Sequence, residues 1–140
     1  MKKIVFILVI VGILFSCNND DGSNLNTELI GNWKLIKSTG SIPNSETTGS
    51  EMEWQELYSI NTDGTFLKHR ERNNIITEIT GTYITINSSD GLNLELTYDS
   101  ESTVIGTTSG LKELFYFQDN IMVNTWWFAD GPKLEYKKIK

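Results

Sequence analysis

Cysteine, histidine and proline are scarce here: one Cys, one His and two Pro in 140 residues. A single thiol excludes any disulfide within the chain, so a folded domain must be held together by its core. One His and one Cys leave no zinc-type ligand set, and neither a metal nor a cofactor is expected. Glycines fall singly in turns, so no phosphate-cradling loop is present. Positive charge is short as well, with 12 Lys and Arg against 18 Asp and Glu, a net charge of −6. An acidic chain without a basic stripe is a poor partner for nucleic acid, where phosphate neutralisation dominates affinity. No local Ser, His and Asp arrangement suggests a nucleophile. Glu51, Glu53 and Glu56 supply acid pairs of the kind glycosidases use, but such pairs are common on acidic surfaces. The chain reads as non-catalytic.

What is present begins at the amino end. Met1, Lys2 and Lys3 precede an apolar run from residue 4 to 15. Twelve residues at ~1.5 Å each make a helix of ~18 Å, short of the ~30 Å hydrocarbon core. A basic start, an apolar stretch and small residues before a cut have the form of a secretory signal peptide. Leu14-Phe15-Ser16-Cys17 resembles the lipobox of bacterial lipoproteins. The resemblance implies cleavage before Cys17 and a diacylglycerol of palmitate type on its thiol. Two acyl chains, at ~0.8 kcal/mol per buried CH₂, suffice for a stable membrane anchor. Residues 1–16 are then the signal peptide, 17–26 a lipidated tether and 27–140 the folded domain. Loss of Lys2 and Lys3 takes the net charge from −6 to about −8. Asp20-Asp21 resembles the export signals of surface lipoproteins in Bacteroidetes-type bacteria; a solvated spacer explains it equally. The expected location is the outer membrane.

From Trp33 onward, short β-branched and aromatic runs alternate with turn signals every eight to twelve residues, the spacing of an all-β barrel or sandwich. Leu92, Leu94, Leu96 and Tyr98 share one face, and Asn93, Glu95, Thr97 and Asp99 the other. Turns are expected at Asp63-Gly64, Asn73-Asn74, Asp90-Gly91, Asp119-Asn120 and Asp130-Gly131, whose residues tolerate positive φ. Strands are expected at 32–38, 53–60, 65–72, 75–86, 92–98, 103–108, 111–118, 121–129 and 133–139, with one helical turn at 27–30. Pro43 and Pro132 fall in a loop and at a strand start. Short connections favour neighbouring pairs, so the expected fold is a single antiparallel up-and-down β-barrel of about eight to nine strands. Eight strands enclose room for side chains or one small ligand.

Leu29-Ile30-Gly31-Asn32-Trp33-Lys34-Leu35 resembles the G-x-W opening of the lipocalin and lipocalin-like families. Asn61-Thr62-Asp63-Gly64-Thr65-Phe66, Gly81-Thr82-Tyr83 and the closing Tyr136-Lys137-Lys138 fit the same likeness. It implies that Gly31, Trp33 and Lys138 form the base of the barrel, with Trp33 plugging that end. Many lipocalins have an arginine that stacks on this tryptophan; here Lys137 and Lys138 stand nearest. The implied function is non-catalytic binding of a small apolar or amphipathic ligand in the barrel mouth, by a membrane-anchored monomer.

Candidate ligand-binding residues are Trp54, Glu56, Tyr58, Phe66, Tyr83, Phe115, Phe117 and Trp127; the competing reading is that the aromatics simply fill the barrel. Trp54, Glu56, Tyr58 and Ile60 share a strand face, so an inward Glu56 needs a cationic partner, with Lys68 or Arg70 available. In a strand, Trp127 opposes Trp126 and Phe128, so one set must face outward. His69, between Lys68 and Arg70, is expected on an outer face. The second function class is a surface protein- or glycan-interaction module with a filled barrel. Space inside the barrel separates the two. We expect labelled palmitate to be incorporated into the native chain in a bacterial host and not into Cys17→Ser; equal labelling of both would end the lipobox reading.

Overall fold

The computed structural model describes residues 28–108 and 110–140. The stretches expected to be a signal peptide (1–16) and a lipidated tether (17–26, with Cys17), and Thr27, lie outside the described residues. Nine strands form one antiparallel sheet: β1 (Gly31–Thr39), β2 (Glu46–Thr48), β3 (Gln55–Ile60), β4 (Thr65–Arg72), β5 (Ile75–Ser88), β6 (Gly91–Tyr98), β7 (Lys112–Gln118), β8 (Ile121–Asn124) and β9 (Lys133–Ile139). β1 pairs with β3, each later strand pairs with the next, and β9 returns to β1 with Trp33 opposite Lys138. Eight strands therefore close an up-and-down barrel, as the hairpin spacing predicts. β2 is an addition, pairing with Lys37, Ser38 and Thr39 of β1 inside what reads in the sequence as a loop.

Local turn chemistry sets this register. Asn73 and Asn74 have φ of 54° and 61°, and Asp119 and Asn120 of 51° and 62°. Both pairs make two-residue hairpin turns of the type whose twist matches that of the strands. The strands alternate cleanly. Glu56, Tyr58 and Ile60 of β3, Phe66, Lys68 and Arg70 of β4, and Leu94, Leu96 and Tyr98 of β6 are buried. Charged outward neighbours such as Glu71, Glu95, Lys133 and Lys137 line the other face.

One expected strand is absent and another is cut short. Residues 103–108 form turns and bends, because their backbone polar groups bond to buried side chains in place of a ladder. The expected strand 121–129 stops at Asn124 and continues as a 3₁₀ turn, Thr125–Ala129. The Asn124 side chain accepts from the Trp126 amide at 2.5 Å, capping that turn, and Asp130 closes it with φ 65°. The face argument for Trp126, Trp127 and Phe128 therefore does not apply, since none lies in a strand.

Gly81 of β5 sits opposite Phe66 on one side and Tyr98 on the other. Those two rings meet edge to face across it, centroids 5.0 Å apart. A methyl group on Gly81 would overlap the Thr97 carbonyl and crowd the Phe66 ring. We expect Gly81→Ala to lower stability by about 1–3 kcal/mol, the usual range for overpacking. Urea denaturation measures this, and an unchanged midpoint would show that the aromatic pair does not need the gap.

Candidate functional site

Strand alternation sends four charged side chains into the barrel. Glu56 and Arg70 face each other across β3 and β4, and so do Tyr58 and Lys68. Glu113 projects from β7 on the far side of the closed sheet. Lys68 and Glu113 have no exposed side-chain surface, and their charged groups lie 2.9 Å apart. Lys68 also reaches Glu56 at 3.3 Å and donates to the Val104 carbonyl at 2.6 Å. Glu56 accepts from Arg70 Nε and from the Tyr136 hydroxyl. Glu113 accepts from Tyr58, Tyr98 and the Gly106 amide. Two acids and two bases thus balance inside the barrel, in the only form in which buried charge is tolerable.

The ionisation of the network follows from this geometry. Burial alone would favour a neutral Glu113, but the Lys68 ammonium and the Tyr58 and Tyr98 hydroxyls outweigh it and hold the carboxyl below its ordinary value. Burial raises the phenols of Tyr58, Tyr98 and Tyr136, and the neighbouring carboxylates push them the same way. The tyrosines are therefore fixed as donors.

The expected ligand-binding residues do not form one site. Tyr58, Phe66 and Phe115 are almost fully buried in a solid centre, where Tyr58 packs edge to face on both Phe115 and Tyr136. Glu56 is buried and ion-paired with both of the cations that the sequence offers it. It is therefore not available to form an acid pair with Glu53, which binds Arg72 at the rim. Tyr83 packs against the core and donates to the Asn61 carbonyl at 2.7 Å. Trp127 is outside, 39% exposed, with its ring 4.1 Å from that of Phe128. His69 faces outward and bonds Glu78 at 3.1 Å.

Open space lies at the two ends. At the Trp33 end, a cavity of about 330 Å³ is lined by Leu29, Trp33, Leu92 and Phe117, with Glu28, Asp119, Asn120 and Lys138 also at its wall. Trp33 is held by its indole N–H bond to the Leu29 carbonyl, at 2.9 Å, and by the edge of Phe117. Lys138 does not stack on it. Its ammonium instead donates to the Glu28 carbonyl at 2.8 Å, and its side chain crosses Gly31, whose φ of 128° and close contact with Lys138 Cε both favour glycine. The tryptophan is thus a wall of the cavity as well as a plug.

The opposite end is covered. Val104 and Gly106 are buried there, and Trp126 packs against both Gly106 and Gly131. Trp54 stands at this end with the Arg70 guanidinium 4.6 Å over its ring. A smaller cavity of about 230 Å³ lies beside Arg70.

Sequence reasoning missed Glu113, Tyr98 and Tyr136 as members of the network. The parity of Glu113 with Phe115 and Phe117 along one strand was the available signal. Leu29 and Leu92, which wall the cavity at the Trp33 end, carry no signal beyond being apolar near turns. Among the described residues no group of three or more His, Cys, Asp and Glu is placed to hold a metal ion. A scan against family models, a search of curated proteins and a search of solved structures each found no match.

Glu113 ionises more readily in the folded protein than in the unfolded chain. Its contribution to stability is therefore complete above the ordinary Glu value of ~4.3 and is lost as pH falls from there through its lower folded value. We expect Glu113→Gln to lose about 3 kcal/mol at neutral pH, because Lys68 keeps only one acidic partner. The variant should also show a shallower fall in stability on the acid side. Urea unfolding from about pH 7 to about pH 3 tests both expectations. Parallel acid limbs in the two proteins would remove Glu113 from the account.

Proposed function

We propose that this chain is a lipid-anchored envelope protein whose barrel binds a small amphipathic molecule, without catalysis, at the Trp33 end. The single supporting observation is the cavity of about 330 Å³ bounded by Leu29, Trp33, Leu92 and Phe117. Its volume falls at the lower end of the ~300–1,000 Å³ typical of small-molecule sites. Apolar walls supply affinity at ~25 cal/mol per Å² of ligand surface buried. Lys138, Asp119 and Asn120 supply the few polar groups that orient a polar end.

This reading keeps the ligand class implied by the lipocalin-like opening and moves the site. The barrel centre is occupied by Tyr58, Phe115, Tyr136 and the ion-pair network, so a ligand buried deep in the barrel has no room. The end plugged by tryptophan in the resemblance is here the one that holds an apolar-walled cavity.

A second reading, recognition through the outer surface, draws on one observation. Trp127 and Phe128 are 39% and 67% exposed, and Phe128 stacks on Tyr116 with centroids 6.5 Å apart. Exposed aromatic clusters of this kind mark contact surfaces.

Native mass spectrometry of the purified protein after incubation with a bacterial envelope extract separates the two. We expect a non-covalent adduct on the native chain, with occupancy reduced about tenfold or more in Leu92→Trp, whose indole fills the cavity. A persistently bare native chain would overturn the proposal and leave the aromatic surface as the better reading.

A further inference from the structure

Arg70 is 8% exposed, yet its guanidinium is only partly used. Nε is committed to Glu56, and the plane lies over the Trp54 ring. Nη2 is buried and has no hydrogen-bond partner, and the indole N–H of Trp54 is likewise buried and unpaired. A buried donor without an acceptor costs about 1–3 kcal/mol, more when it carries charge. Two such donors on one stacked pair are therefore a demand for an acceptor that the described residues do not supply.

Space for an acceptor adjoins the Arg70 member of this pair. The cavity of about 230 Å³ at the covered end is lined by Arg70, Arg72, Ile75, Thr77, Thr103 and Val104. Arg70 and Thr77 face each other across β4 and β5, as do Arg72 and Ile75, so these walls belong to the inward face where it reaches the rim. The cavity offers cations, hydroxyls, the Asn73 amide and two apolar side chains, and no carboxylate lines it. Glu56 is already shared by Arg70, Lys68 and Tyr136. Arg72 is held by Glu53 in a pair whose members are 51% and 60% exposed, a weak hold that a ligand can displace.

We propose that this rim cavity is a binding site for a small monocarboxylate, its oxygens on Arg70 Nη2 and its short apolar flank against Ile75 and Val104. A carboxylate suits the guanidinium fork better than a neutral acceptor, because charge-assisted bonds are roughly twice as strong. The volume is below that of drug-sized sites, which restricts the ligand to a small molecule. A doubly charged anion is less well matched, since Glu56 offsets the charge of Arg70. The site is separate from the cavity at the Trp33 end and does not depend on it.

The test is a titration of the ¹⁵N-labelled full chain with hexanoate, and in parallel with hexan-1-ol as a neutral match. We expect hexanoate to shift the Arg70 guanidinium and Trp54 indole signals saturably, and hexan-1-ol to bind about tenfold more weakly or worse. Arg70→Met removes the main contact but also unpairs Glu56, so loss of fold there would be uninformative by itself. Thr103→Phe, at an exposed loop position, fills the cavity without touching the ion-pair network and should weaken hexanoate about tenfold or more. Leu92→Trp should leave this titration unchanged, whatever it does at the other end. Arg70 signals that never shift saturably would assign Nη2 to a resident water and overturn the proposal. Equal binding of the acid and the alcohol would do the same, as would undiminished binding by Thr103→Phe.

Discussion

Lys68 and Glu113 meet inside the barrel with no side-chain surface exposed to solvent, their charged groups 2.9 Å apart. Glu113 depends on Lys68 as its cation, and Lys68 without Glu113 would keep only Glu56, so breaking the pair leaves buried charge under-compensated at a cost of several kcal/mol. Their remaining hydrogen-bonding capacity recruits the rest of the interior. Tyr58 and Tyr98 donate to Glu113, Lys68 reaches Glu56, and Glu56 is shared with Tyr136 and Arg70. Five strands and one connecting segment are tied through these contacts. A barrel of this size is stable with an apolar filling, so the charges are not needed for closure as such. What they add is a set of mutually satisfied partners drawn from β3, β4, β6, β7, β9 and the 103–108 segment.

The connecting segment shows the consequence most directly. Residues 103–108 carry β-branched side chains and read as a strand, yet the Val104 carbonyl and the Gly106 amide go to Lys68 and Glu113. Those bonds fasten the segment over one end of the barrel, where Trp126 packs on Gly106 and Gly131. With the centre filled and one end covered, space is left only at the margins. The cavity at the Trp33 end and the one beside Arg70 differ in kind. One is walled by Leu29, Trp33, Leu92 and Phe117, the other by Arg70, Arg72 and two threonines. Apolar burial governs the first, unsatisfied hydrogen-bond donors the second.

Much of the fold was legible because it is written in local chemistry. Strands 65–72 and 133–139 were expected at the bounds observed for β4 and β9, and the Asn73-Asn74 and Asp119-Asn120 turns were expected where they occur. Period-two alternation and residues tolerant of positive φ need no distant partner. The pairing of Glu56 with Lys68 and Arg70 was also legible, since all three lie on strands joined by one short turn. Glu113 was not, because β5 and β6 separate its strand from β4 along the sheet and the contact forms only across the closed interior. The 3₁₀ turn at Thr125–Ala129 was missed for a related reason: aromatic residues favour strands, and the Asn124 cap and the glycines beneath Trp126 override that preference.

Residue order by itself determined which side chains point inward, where the hairpins turn and that neighbouring strands pair, since each follows from the backbone preferences of a few adjacent residues. Only the tertiary structure decided which inward groups meet, which end of the barrel is covered and where space remains. These depend on curling the sheet until β9 reaches β1, which brings β4 and β7 face to face across the interior and turns isolated charges into partners.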